Sequence, residues 1–216
     1  MSHNYRARFT IVGDSKVGKT SLAKRFSLNE FTSKYESTVG IQFHCQQIQL
    51  ANNFKKKTAK MQIWDTAGSK SFQYMNKVYY KIANIVFIVF DVTNTHSFKN
   101  TYEWFTLIRK ENNTCVIALI GNKTDLNSNR VISAHSARTF ANKHNMIYLE
   151  TSAKESLESV KRAFQATLVR AIISPKSGVS INDSNDDVSY GRPRCSSFEL
   201  DVKVRRRSQI CCCSIM

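Results

Sequence analysis

Residues 13–20 read Gly13-Asp14-Ser15-Lys16-Val17-Gly18-Lys19-Thr20 and match the pattern G-x-x-x-x-G-K-[ST]. The preceding apolar run 9–12 predicts a strand, and residues 19–28 carry apolar side chains at helical spacing. Such a loop lets successive backbone N–H groups point at phosphate oxygens, and the helix N-terminus favours an anion. Lys19 would neutralise the outer phosphates and Thr20 would bind Mg²⁺. The predicted phosphate site runs from Gly13 to Ser21, and by itself it fits any nucleotide enzyme with this loop, ATP users included.

The rest of the chain alternates short apolar runs with longer helical patterns. Strands are predicted at 42–50, 60–64, 85–91, 115–121 and 147–150, and helices at 97–110, 133–144 and 155–173. The first two of these strands flank a polar stretch, so an antiparallel hairpin is expected. The run 85–91 is apolar almost throughout, as in a strand covered on both faces. The pattern predicts an α/β fold of the P-loop NTPase type, with a mostly parallel sheet and helices on both faces.

Two loops at strand ends indicate which base is bound. Asn122-Lys123-Thr124-Asp125 follows one buried strand, and Thr151-Ser152-Ala153-Lys154 follows the next. A carboxylate at Asp125 can accept hydrogen bonds from both N1 and the exocyclic N2 of guanine, whereas adenine offers neither donor. Ligands of open α/β sheets bind at the carboxyl ends of the strands, where both loops lie. The predicted guanine-binding residues in these loops are Asn122, Lys123, Asp125, Ser152, Ala153 and Lys154.

Composition narrows the possible partners. The chain has 216 residues, 42% of them hydrophobic, which is enough for one folded domain. Its formal net charge of +16 implies an acidic partner, which could be nucleic acid, an anionic membrane or a phosphorylated ligand. The sequence contains no motif for nucleic-acid recognition, so nucleic-acid binding is not expected. The longest apolar run, 85–90, is far shorter than the roughly 20 residues of a membrane-spanning helix.

Further segments match motifs of one family. They are Trp64-Asp65-Thr66-Ala67-Gly68, Ser37-Thr38-Val39-Gly40-Ile41-Gln42-Phe43, Tyr79-Tyr80-Lys81 and Phe90-Asp91-Val92-Thr93. With the loops above, these segments make the chain closely similar to the small Ras-like GTPases, and to their Rab branch in particular, over about residues 5–174. The resemblance implies a six-stranded sheet and a GTP/GDP switch that recruits effectors when GTP is bound. The expected activity is hydrolysis of GTP to GDP and phosphate, in the service of vesicle trafficking.

The resemblance also assigns roles to individual residues. Thr38 would ligand Mg²⁺ and sense the γ-phosphate, and Asp65 would hold Mg²⁺ through water. The Gly68 N–H would contact the γ-phosphate, Phe31 would pack against guanine, and Tyr35 would cover the phosphates. Loss of the γ-phosphate would release both switch segments. The implied metal ligands are Thr20, Thr38 and Asp65, and the implied catalytic residues are Lys19, Thr38, Gly68 and Ser69.

Ser69 departs from the family pattern. Relatives usually carry glutamine directly after Asp-Thr-Ala-Gly, where it orients the attacking water. Serine is too short to reach as far, so we expect slow intrinsic hydrolysis and a long-lived GTP-bound form. The alternative is a largely GTP-locked scaffold with little GTPase activity.

The end of the chain resembles a lipid-anchoring signal. Cys212 and Cys213 match the double-cysteine ending of Rab proteins, and Cys213-Ser214-Ile215-Met216 also fits C-a-a-X. We expect residues 1–174 to form the small GTPase (G) domain, and residues 175–216 a flexible hypervariable tail with a polybasic patch and a prenylation signal. The expected location is the cytoplasmic face of an intracellular membrane, with cycling through the cytosol. The implied partners of this expected monomer are an exchange factor, a GTPase-activating protein, a GDP-dissociation inhibitor or escort protein, effectors and membrane lipid.

Overall fold

A six-stranded, mostly parallel sheet forms the centre of the protein. The computed structural model describes residues 4–50, 57–68, 76–182 and 196–198. The strands are β1 (Asn4–Val12), β2 (Ile41–Gln49), β3 (Thr58–Thr66), β4 (Ile85–Asp91), β5 (Val116–Asn122) and β6 (Ile147–Glu150). Their order is β6-β5-β4-β1-β3-β2, and β2 alone among them runs antiparallel to its neighbour, β3. The predicted sheet and its hairpin are confirmed.

Helices cover both faces of this sheet, as predicted. They are α1 (Lys19–Leu28), α2 (Lys77–Ile82), α3 (Thr95–Lys99), α4 (Thr101–Glu111), α5 (Ala134–Lys143) and α6 (Leu157–Ile173). Helices α1 and α6 contribute to one hydrophobic cluster, while α2, α4 and α5 contribute to a second. Strand β4 supplies Phe87 to the first cluster and Phe90 to the second, which explains why its sequence is apolar without alternation. On the first face, the rings of Phe26 and Phe164 stack 4.0 Å apart.

Two helical details differ from the sequence prediction. The predicted helix 97–110 is two helices, α3 and α4, that meet at Asn100. The Asn94 side chain begins α3 by accepting hydrogen bonds from the backbone N–H groups of His96 and Ser97. The short helix α2 was not predicted; it has only six residues, of which Tyr80 is buried. A segment this short carries too little periodicity for a sequence pattern to reveal it.

The chain stays against the domain beyond the predicted boundary at residue 174. Asn84 Nδ2 donates to the carbonyl of Ser177 at 2.9 Å, and a short strand β7 (Ser180–Asn182) pairs antiparallel with the start of β1. A second short strand, β8 (Ser196–Phe198), pairs parallel with β2. Backbone pairing of this kind needs no apolar pattern, so composition does not indicate it. The polybasic patch and the prenylation signal of the predicted tail lie outside the described residues.

Candidate nucleotide-binding site

A cavity of about 680 Å³ opens at the carboxyl ends of β1, β3, β5 and β6. Its size lies within the range of roughly 300–1,000 Å³ that is usual for ligand pockets. Residues 15, 16 and 18–20 of the phosphate loop line one end, and the loops after β5 and β6 line the other. Residues 30–38, which we call the first switch segment, close its side. Most of the predicted phosphate, metal and guanine residues therefore border a single cavity.

The backbone of the phosphate loop explains two of its glycines. Gly13 and Gly18 have φ angles of 138° and 96°, which L side chains rarely adopt. A Cβ at Gly13 would also collide with the carbonyl oxygen of Val89, and one at Gly18 with the amide of Asn122. Glycine at these positions lets the loop lie directly on β4 and β5. The loop is consequently seated on the sheet rather than extended into solvent.

Lys19 occupies the floor of the phosphate end. It begins α1 and is only 6% exposed. Its Nζ donates hydrogen bonds to the carbonyls of Gly13, at 2.9 Å, and Asp14, at 2.7 Å. Burial lowers the pKa of the ammonium to about 8, while the carboxylates of Asp65 and Asp14 act in the opposite direction. A buried cation of this kind is well placed to receive an anionic ligand.

Three oxygen-bearing side chains converge beside Lys19. Thr20 Oγ1 donates to Asp65 Oδ2 at 2.6 Å and lies 2.8 Å from Thr38 Oγ1. Asp65 is fully buried, and within the described residues its Oδ1 has no hydrogen-bond partner. Burial raises the pKa of the Asp65 carboxyl to about 6, although the Thr20 hydrogen bond and nearby cations lower it. Hydroxyls and a carboxylate with a spare buried oxygen fit Mg²⁺, which prefers oxygen ligands.

Asn122 lines the cavity and also makes hydrogen bonds that connect the loops of the site. Its Nδ2 donates to the carbonyl of Val17 in the phosphate loop at 2.9 Å. Its Oδ1 accepts from Thr151 Oγ1 at 3.2 Å and from the backbone N–H of Ala153 at 3.3 Å. The buried side chain therefore joins three loops to one another. These hydrogen bonds fix the positions of the loops relative to one another.

Asp125 is the carboxylate at the base end of the cavity. Its Oδ1 accepts a hydrogen bond of 2.7 Å from Ser152 Oγ, which itself accepts from the backbone N–H of Glu155. Lys123 pairs with Asp91 at the end of β4, at 2.6 Å. Phe31 and Lys154 also line the cavity. The hydrogen bond from Ser152 orients the Asp125 carboxylate.

The structure adds positioning residues that the sequence did not indicate. Arg25 on α1 donates from Nε to the carbonyl of Ala153 at 2.7 Å, and its guanidinium lies 5.9 Å from the centre of the Phe31 ring. Asp14 accepts hydrogen bonds from Asn100 Nδ2 at 2.7 Å and from Trp104 Nε1 at 2.9 Å. These residues connect the loops of the site to helices α1 and α4. Arg25, Asn100 and Trp104 belong to none of the short motifs, whereas Asp14 is part of the phosphate loop.

Gly68 lies against the phosphate loop, since a Cβ there would collide with Lys19 Nζ. Ser69, which follows it, lies outside the described residues, as do Cys212 and Cys213. Ser21 and Ala153 line the cavity together with the loop residues already described. The structure therefore places the predicted phosphate, metal and guanine residues together.

The fold and the cavity define a P-loop nucleotide-binding protein. Residues 8–174 match the model of the Ras family. This match covers most of the chain, which therefore belongs to the Ras family.

Relatives narrow the position within that family. The Ras-related protein RABA2a of Arabidopsis thaliana is 39% identical over 178 residues, which cover 81% of this chain and 80% of the relative. The GTP-binding protein ypt3 of Schizosaccharomyces pombe is 34% identical over 213 residues, which cover 97% of this chain and 97% of the relative. The Ras-related protein Rab11B of Nicotiana tabacum is 35% identical over 87% of this chain and 91% of its own. These matches confirm a GTPase of the Rab branch, whose members are GTP-binding switches of vesicle traffic.

Proposed function

We propose that this chain binds GTP and GDP with Mg²⁺ in the cavity described above. The observation that carries the proposal is a single cavity with Lys19 at one end and the oriented carboxylate of Asp125 at the other. Residues 13–21 would hold the phosphates, and Thr20, Thr38 and Asp65 would hold the metal, which supplies charge neutralisation between the phosphates. Asp125 would select guanine, with Phe31 against the base and residues 152–154 on its far side.

The switch itself would depend on contacts to the outermost phosphate. Thr38 lies on the first switch segment, which is largely exposed, and Gly68 lies against the phosphate loop. The first switch segment is not buried in the core, so a ligand could hold it and its release would follow loss of the γ-phosphate. We infer that effectors recognise the GTP-held arrangement, while an exchange factor and a GTPase-activating protein control passage between the two forms.

Ser69 sets the expected rate of hydrolysis. We expect Ser69→Gln to raise the unstimulated single-turnover rate of GTP hydrolysis about tenfold, because glutamine can orient the attacking water where serine cannot reach. Ser69→Ala is expected to leave the rate unchanged. The measurement is release of phosphate from the preformed GTP complex. Ser71→Gln is the matched control, since it makes the same replacement two positions further along the chain.

The outcome separates two candidate functions. A slow but measurable rate that glutamine accelerates supports a working switch with a prolonged GTP-bound form. A rate below detection in the wild type and in Ser69→Gln supports the scaffold alternative, which the replacement at Ser69 favours. A wild-type rate that equals that of the Ser69→Gln variant contradicts the proposed role of this position.

We further propose that the chain is anchored to the cytoplasmic face of an intracellular membrane and cycles through the cytosol. Support comes from the paired Cys212 and Cys213 and from Lys203, Arg205, Arg206 and Arg207 just before them. One lipid chain binds a bilayer only marginally, so two prenyl groups or one plus the basic patch would be required. No helix in the part of the chain that the structure describes is long and apolar enough to cross a bilayer. A GDP-dissociation inhibitor or escort protein would then cover the lipid during cycling.

Removing the proposed lipid sites tests the anchor. We expect the double variant Cys212→Ser, Cys213→Ser to lose its membrane association, because the remaining basic patch binds a surface only weakly. The measurement is the membrane-bound fraction of the tagged full chain, with the mass of the C-terminal peptide from the wild type reporting one or two prenyl groups. Cys211→Ser is the matched control and should remain bound. Equal membrane association of the double variant and the wild type would contradict the anchor.

A further inference from the structure

Lys16 is an unexpected residue at its position in the phosphate loop. It has a φ of 67°, in the left-handed region, whereas the other positive φ angles of the loop belong to glycines. A non-glycine residue in this region costs on the order of 1–2 kcal/mol. Lys16 is exposed, so packing of the hydrophobic core does not require a lysine at this position. A lysine at a strained backbone position of a ligand-binding loop indicates a functional role for its side chain.

The Lys16 ammonium reaches across to the first switch segment. Its Nζ lies 5.5 Å from the centre of the Tyr35 ring, within the range of a cation–π interaction. Both residues line the cavity. The phosphate loop and the first switch segment are thus in contact through this pair, on the same segment that carries Thr38.

The charge of Lys16 is not neutralised by a carboxylate among the described residues. Lys34, at the same cavity, differs in this respect, since its Nζ lies 3.5 Å from Glu36 Oε1. Lys19 differs again, because it is buried and hydrogen-bonded to two carbonyls of the loop. Lys16 therefore offers an exposed positive charge, attached to the phosphate loop and resting on the switch side of the cavity.

We propose that the Lys16 ammonium binds the outermost phosphate of the triphosphate, with the Tyr35 ring as its support, and so favours GTP over GDP. A diphosphate lacks the third phosphate, so the same ammonium would gain little from it. The inference rests on the proposed function, because it concerns which phosphates the same cavity prefers. It assigns to the Lys16 side chain a selectivity that the loop backbone cannot supply, since backbone N–H groups hold the inner phosphates of both nucleotides.

The test compares two affinities in each variant of the full chain. For Lys16→Gln we expect affinity for a non-hydrolysable GTP analogue to fall about tenfold, while affinity for GDP changes less than about threefold. Lys16→Arg keeps the charge and should keep the preference. Lys16→Gly removes the charge and the backbone strain together, so it should lose the preference while keeping normal thermal stability. Lys143→Gln removes the charge of an exposed lysine outside the cavity; it is the control and should leave the ratio of the two affinities unchanged.

Each result decides between explanations. An unchanged ratio in Lys16→Gln with normal GDP affinity overturns the role of Lys16 and leaves the proposed function intact. Equal losses for both nucleotides also overturn it, because the lysine would then serve the loop as a whole. A wild type that binds neither nucleotide overturns the proposed function and this inference with it. In support, raising the salt concentration should weaken the wild-type preference for the triphosphate and leave that of Lys16→Gln unaltered.

Discussion

Lys19→Met is expected to weaken binding of both GTP and GDP about a thousandfold. Methionine keeps the length of the buried stem but removes the one ammonium on the floor of the phosphate end, and loss of a buried charged partner costs about 2–5 kcal/mol. Both nucleotides should suffer, because Lys19 Nζ lies beside the Gly13 and Asp14 carbonyls in the innermost part of the loop. The measurement is equilibrium titration with fluorescent GDP and with a non-hydrolysable GTP analogue.

The Lys19 variant should still fold. Burial lowers the pKa of this ammonium to about 8, which means that desolvation disfavours its charged form. Methionine removes this desolvation cost. Its thermal midpoint should therefore lie within a few degrees of the wild type. Lys24→Met is the matched control on the same helix and cavity, and it should change either affinity less than tenfold. Retention of near-normal affinity by Lys19→Met would contradict the assignment of this loop.

Asp125→Asn is expected to lower affinity for guanine nucleotides by about a thousandfold, because a site built to receive two N–H donors would present an amide instead. The Ser152 hydroxyl can still donate to the retained oxygen, so the loop itself should keep its shape. Xanthosine diphosphate, which carries a carbonyl where guanine has its exocyclic amine, should bind the variant better than the wild type. The measurement is competition between the two nucleotides for the same site.

A change of preference from guanosine to xanthosine diphosphate would distinguish a role of Asp125 in base recognition from a general disruption of the loop. Glu155→Gln makes the same carboxylate-to-amide change on an exposed neighbour and should leave both affinities unchanged. A general loss of binding, without any gain for xanthosine diphosphate, would assign Asp125 to the structure of the loop rather than to the base. If Asp125→Asn binds GDP with undiminished affinity, Asp125 does not take part in guanine binding.

The sequence was sufficient for the parts of the site that lie in short, local motifs. Lys19 and Thr20 follow a strand and begin a helix, and that arrangement alone aims them at a phosphate site. The strand β4 was also predictable, because a continuous run of apolar side chains is typical of a parallel strand that is buried on both faces. In each case the residues that act together are close along the chain.

The sequence was insufficient where distant segments meet. Asp14 is held by Asn100 and Trp104, which are 86 and 90 residues away along the chain. Arg25 contacts the Ala153 carbonyl across 128 residues. Nothing in the local pattern around these side chains distinguishes them from ordinary helix-surface residues. The same reason explains the break at Asn100, where the helix pattern continues but the side chain turns to the phosphate loop.

The pairing of β7 with β1 shows at which end of the domain the chain leaves α6 toward its tail. β7 joins β1 at residues 4–6, whereas the phosphate loop leaves β1 after Val12. With a rise of about 3.3 Å per residue, these two points are about 25 Å apart. Strand β8 pairs with residues 46–48 of β2, which lie level with residues 5–7 of β1, so a tether that starts after β8 also leaves from this end. In the anchored protein proposed above, the nucleotide opening would point into the cytosol, so that a partner could approach the switches without displacing lipid.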